Sequence, residues 1–97
     1  MVKHIVLFKL KGSPEARLDA SRRFVEALLA LPEQIDCLQA MEAGVNENPA
    51  EDWDVALTAT IDCMENVAVY AKHPAHVAAA SIVLPLKESR ACVDYPL

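Results

Sequence analysis

No stretch of this sequence approaches the ~18 consecutive apolar residues of a membrane-spanning helix, so nothing in it is expected to cross a bilayer. Basic residues are scarce as well: nine Lys and Arg stand against fourteen Asp and Glu, a net charge of −5. Gripping a phosphate backbone takes a basic face, so a nucleic-acid partner is not expected. Aromatic residues make up only 5%. There is no CxxC pair, no HExxH and no carboxylate cluster, so no metal site and no cofactor are assigned. Cys37, Cys63 and Cys92 are odd in number and far apart, which points to reduced, mostly buried thiols in a cytoplasmic protein. Lys9 and Lys11 break up the apolar start, and no cleavage pattern follows, so a signal peptide is not expected. Repeats and low-complexity tracts are absent too. What is abundant is apolar surface. At 54% of 97 residues it exceeds what one small domain (1–97) readily hides, and a partner is expected to cover part of it.

Residues 2–10, VKHIVLFKL, read as a strand. His4, Val6, Phe8 and Leu10 share one face, and Ile5 and Leu7 lie on the other with Lys9. Both faces are largely apolar, so both are expected to be covered. Ser13 as N-cap and Pro14 at the first helical position start a helix that runs to about Leu31, where Pro32 ends it. Its apolar stripe is Leu18, Ser21, Val25 and Leu28, widened by Phe24 and Leu31. Residues 37–46 read as a second strand, and 47–52, ENPAED, as a turn. In 53–61, Trp53, Val55, Leu57, Ala59 and Ile61 alternate with Asp54, Ala56, Thr58 and Thr60, so Trp53 is expected in the core. Asp62 with Glu65 resembles a capping box that opens a second helix. Residues 74–88 continue as helix in one or two pieces, with Pro85 as an interruption, and 91–95 close the pattern as a strand.

The order β-α-β-β-α-β predicts an α+β, ferredoxin-like fold: a four-stranded antiparallel sheet with both helices on one face. The other face, with Ile5, Leu7, Ala56, Thr58 and Thr60, would be bare. Pairing two copies sheet to sheet as a two-fold homodimer is the expected solution, giving a dimeric α/β barrel.

Two of the three histidines lie in YAKHPAHV, residues 70–77. On a straight helix Tyr70 and His76 would sit about 120° apart and would not face each other. Pro74 clashes with the carbonyl of Tyr70 and pushes His73 out of the helical region, so a break is expected at His73 with Pro74 opening a new helix. The break can turn the Tyr70 hydroxyl and the His76 ring toward one cavity. A neutral His76 then suits a general base, and Tyr70 a hydrogen-bond donor to a carbonyl that gains charge on enolisation. The bland alternatives stand beside this: His73 as a helix cap, His76 as a hydrogen-bonded edge histidine, Tyr70 as a core aromatic. His73 and His76, three apart, could share a helix face as metal ligands only if the break did not part them, and no other motif supports a metal.

MVKHIVLFKLK, HPAHV and VDYPL, in that order and spacing, resemble the stress-responsive dimeric α/β-barrel (Dabb) family. The resemblance implies a ferredoxin-like subunit that dimerises through its sheet. One branch, the olivetolic acid cyclase type, closes linear polyketides by intramolecular aldol condensation. Its first-strand histidine, second-helix tyrosine and catalytic second histidine of HPAH are matched here by His4, Tyr70 and His76. Where it has a third-strand histidine, this chain has Val55. The resemblance thus implies His76 and Tyr70 as candidate catalytic residues and His4, with Val55 at the fourth position, as candidate ligand contacts; His73 and Trp53 are further candidate ligand contacts read from the residues themselves. Two classes stay open: a stress-response dimer with a mostly apolar small-molecule cavity and no assignable reaction, or a cofactor-independent enzyme enolising a keto substrate. A cofactor-less monooxygenase with Trp53 at the pocket mouth is a further alternative.

Overall fold

The period-two alternation of residues 2–10 becomes strand β1 (Val2–Leu10) in the computed structural model, which describes residues 1–97. Val2, His4, Val6, Phe8 and Leu10 are buried; Lys3, Ile5, Leu7 and Lys9 are part-exposed on the other face. Helix α1 (Pro14–Leu29) starts as expected, with Ser13 Oγ accepting the Ala16 N–H and Pro14 in the first turn. A 3-10 turn, Leu31–Glu33, follows. Then come β2 (Leu38–Val45), β3 (Val55–Ile61), α2 (Asn66–Lys72), α3 (Pro74–Ser81), a second 3-10 turn at Leu84–Leu86, and β4 (Lys87–Pro96). The sheet order is β2-β3-β1-β4 with every pair antiparallel, the ferredoxin-like arrangement.

The core lies between the sheet and α1. Val6, Phe8 and Leu10 of β1 and Val55, Leu57, Ala59 and Ile61 of β3 meet Ala20, Phe24 and Leu28 of α1. Phe8 and Phe24 pack edge to face, with ring centroids 5.0 Å apart. That contact sets the rotation of α1. It centres the buried stripe on Phe24 and Leu28 and carries Ala20 inward four residues earlier, while Leu18, expected in the stripe, is left 40% exposed.

Three other expectations shift. Trp53 is not part of β3. The Asp54 carboxylate accepts the Leu10 N–H at 2.7 Å, so a side chain closes that end of the ladder and Trp53 falls outside it, half-buried rather than in the core. The capping box does not form: Asp62 accepts a hydrogen bond from the Asn66 side chain at 2.8 Å, Glu65 makes no side-chain cap, and α2 begins only at Asn66. Finally, α3 ends at Ser81, Pro85 lies inside the second 3-10 turn, and β4 starts directly after it at Lys87 rather than 91.

The face of the sheet away from the helices remains open in the single chain. Ile5 and Leu7 are half-exposed there, and on β4 Val93 and Tyr95, which pair with Ile5 and Lys3, are 61% and 43% exposed. No helix is long and apolar enough to cross a membrane.

Candidate functional site

The break between α2 and α3 is where the local chemistry is legible. His73 has φ −61° and ψ 135°, extended as a residue before proline must be. Pro74 has no N–H to give to the Tyr70 carbonyl, which accepts the His73 N–H instead, at 3.2 Å. The Ala75 N–H turns to His73 Nδ1, at 3.0 Å, which makes His73 the N-cap of α3. That leaves the Ala71 carbonyl without its helical partner, and His76 Nδ1 takes it at 2.9 Å. A carbonyl only accepts, so Nδ1 carries the proton and the lone pair of neutral His76 sits on Nε2.

The same bend aligns three rings. Tyr70 lies between His4 and His76, its ring centroid 5.6 Å from the first, edge-on, and 4.6 Å from the second. Tyr70 is fully buried at 0% exposure, and its hydroxyl has no hydrogen-bond partner. Burial pushes the phenol well above its ordinary pKa, against a smaller opposing pull from Arg90, so it stays a neutral O–H donor. His76 is half-buried. Burial holds its pKa below the ordinary value, with the Ala71 hydrogen bond opposing and His4 and Arg90 adding to the depression. His76 is therefore a neutral base at neutral pH.

His4, Tyr70 and His76 thus come together. The other candidates do not join them. His73 spends its Nδ1 lone pair on the cap. Val55 is 2% exposed in the core, opposite Phe8. It lies four residues along β3 from Ala59, the partner of His4, or about 13 Å away. Trp53 lies toward that same far end. With Leu7 and Ala56 it lines a groove of about 400 Å³. A second, polar groove of about 450 Å³, with Lys9, Arg17, Ser21 and Asp54, is also remote from His4, Tyr70 and His76.

The structure adds residues that sequence reasoning missed. His4 Nδ1 hydrogen-bonds Asp94 Oδ1, and Cys92 Sγ lies 3.5 Å from the same nitrogen. Arg90, Cys92 and Asp94 alternate along β4 on the face that carries His4, opposite Phe8, Val6 and His4 respectively. Their spacing by two was visible in the sequence; the register that sets Asp94 against His4 was not, because no short turn joins β1 to β4.

The family model described as the stress responsive A/B barrel domain, Dabb, matches residues 2–97. This chain belongs to the Dabb family. It is 34% identical over 87 residues to an uncharacterized protein of Streptomyces coelicolor, covering 84% of this chain and 86% of that one. A dimeric protein of unknown function with a ferredoxin-like fold from Bacteroides fragilis is 48% identical, with a TM-score of 0.95 over 99% of this chain and 95% of its own. A dimeric ferredoxin-like protein of unknown function from Thermobifida fusca is 29% identical, with a TM-score of 0.81 over 99% and 90%. The Dabb match accounts for the strand order and helix placement. The residues around Tyr70 must speak for the chemistry, since a fold alone does not specify a reaction.

Proposed function

We propose that this Dabb protein binds a small carbonyl compound beside Tyr70 and His76 and promotes its enolisation without a cofactor. The observation that carries this reading is the buried Tyr70 hydroxyl with no partner. Buried donors without acceptors are uncommon and costly, and they concentrate where a ligand supplies what is missing. A ligand carbonyl oxygen would accept the Tyr70 O–H. His76 Nε2, already neutral and oriented through the Ala71 carbonyl, would take the proton from the adjacent carbon. The enolate oxygen then gains charge against the phenol, where a hydrogen bond strengthens as the charge develops. Asp94 orients His4 at the edge of Tyr70.

Because Tyr70 is closed off from solvent, ligand entry requires movement of the helices, and the bend at His73 is the natural hinge. The working form is a homodimer joined through the open sheet face, where Ile5, Leu7, Val93 and Tyr95 supply the apolar surface.

The test is exchange of the α-hydrogen of a simple β-diketone into deuterated water, followed by NMR. The protein should accelerate exchange, and His76→Ala should abolish the acceleration while the dimer stays folded. Binding of the diketone with no acceleration would instead mark a ligand-binding dimer without catalysis, and would end the enolisation reading.

A further inference from the structure

We propose that His4 Nδ1, Cys92 Sγ and an Asp94 carboxylate oxygen form a zinc-binding site on the helix-facing side of the β1–β4 pair. The three donor atoms lie within 4.8 Å of one another. The register explains why. His4 pairs directly with Asp94, and Cys92 stands two residues back along β4, so alternation puts all three side chains on one face of two hydrogen-bonded strands. A strand pair holds such a set more rigidly than a loop does.

The distances suit the ion. With Zn–S about 2.3 Å and Zn–N and Zn–O about 2.0–2.2 Å, tetrahedral ligands sit about 3.6 Å apart across S and N or O, and about 3.3 Å across N and O. Cys92 Sγ is 3.5 Å from His4 Nδ1 and 3.8 Å from Asp94 Oδ2. Only the His4–Asp94 contact must open, from hydrogen-bond length by less than about 1 Å. The Asp94 side chain is 28% exposed and can supply this by rotating, while His4, at 6%, stays fixed. One imidazole, one thiolate and one carboxylate form a mixed N, S, O set that favours zinc over magnesium or calcium. On binding, the His4 proton moves by way of solvent from Nδ1 to Nε2, so the ring coordinates as a neutral imidazole, the proton of the Cys92 thiol passes to solvent, and three metal–ligand bonds form. The fourth position is left to water or a ligand.

The site shares His4 and Asp94 with the keto-ligand reading, but its test stands apart, because metal uptake is measured with no ligand or turnover. Protein stripped with EDTA is titrated with Co²⁺, whose bond to a thiolate gives a charge-transfer band in the near ultraviolet. The band should saturate at one Co²⁺ per chain and bleach when Zn²⁺ is added. Cys92→Ser, an exposed edge-strand change that spares the core, should remove it. Asp94→Asn should weaken Zn²⁺ binding by at least about tenfold, and Cys63→Ser should alter neither readout. A titration without the band, a band that survives Cys92→Ser, or unchanged affinity in Asp94→Asn overturns the proposal and leaves only a hydrogen-bonded His–Asp pair.

Discussion

Changing Tyr70 to Phe should make the protein more stable and less able to act. The ring is fully buried between His4 and His76, and phenylalanine keeps every one of those ring contacts. What it removes is a hydroxyl that gives up its hydrogen bonds to water on folding and receives none in return. Leaving such a group unsatisfied costs about 1–3 kcal/mol. The void left by one oxygen is smaller than a methyl group and takes back less than about 1 kcal/mol. The net effect is a gain of about 1 kcal/mol, or roughly 4–8 °C in Tm for a domain of this size. Urea unfolding at fixed protomer concentration measures it, and the slope m should not change. The same variant should lose the diketone exchange. A loss of stability greater than about 1 kcal/mol would refute the reasoning, for it would mean that the hydroxyl has a partner in solution.

Other outcomes follow from the same geometry. His76, with a folded pKa held below the ordinary 6.5, makes the folded chain bind fewer protons than the unfolded one as acid is added. Stability should therefore be full above the ordinary histidine range and fall as pH drops through it. Denaturation midpoints between about pH 5 and 8 should slope accordingly, and His76→Ala should flatten the slope. His73→Ala should cost about 1 kcal/mol by removing the α3 cap, whereas His73→Asn should lose only a few tenths, both read by thermal unfolding. Val93→Asp, on the open face that the proposed homodimer would bury, should yield monomers in light scattering where the unchanged chain gives dimers, while the circular dichroism spectrum is kept.

What could be read from the sequence was what neighbours along the chain decide. Ser13 and Pro14 start α1 because the cap and the missing N–H act within one turn. The break at His73 follows from Pro74 alone, and the Tyr70 and His76 rings lie 4.6 Å apart across it, with Tyr70 closed off from solvent. The alternation of β1 separates His4 from Ile5 and Leu7 with no need of a partner strand. Most of the misreadings involve choices made by distant residues. Phe8, on another element, turns α1 so that Ala20 rather than Leu18 is buried. Leu10, 44 positions away, recruits the Asp54 carboxylate and leaves Trp53 outside β3. Asp94, 90 positions from His4, meets it only through the β1–β4 register. The capping box failed for a different reason: Asp62 had a second, equally local partner in the Asn66 amide.

The buried core of 17 residues, and the half-buried side chains packed on it, include nothing from β4. Every residue of that strand is exposed in the single chain. Local opening free energies range from near zero at such edges up to the full stability at the core. Peeling β4 away would take Arg90, Cys92 and Asp94 from His4 in one step while Phe8, Phe24 and Leu28 stayed packed. The lifetime of the site is thus set by whatever covers this edge and its open face, rather than by the melting temperature, and amide exchange along β4 would register its loss long before the protein unfolds.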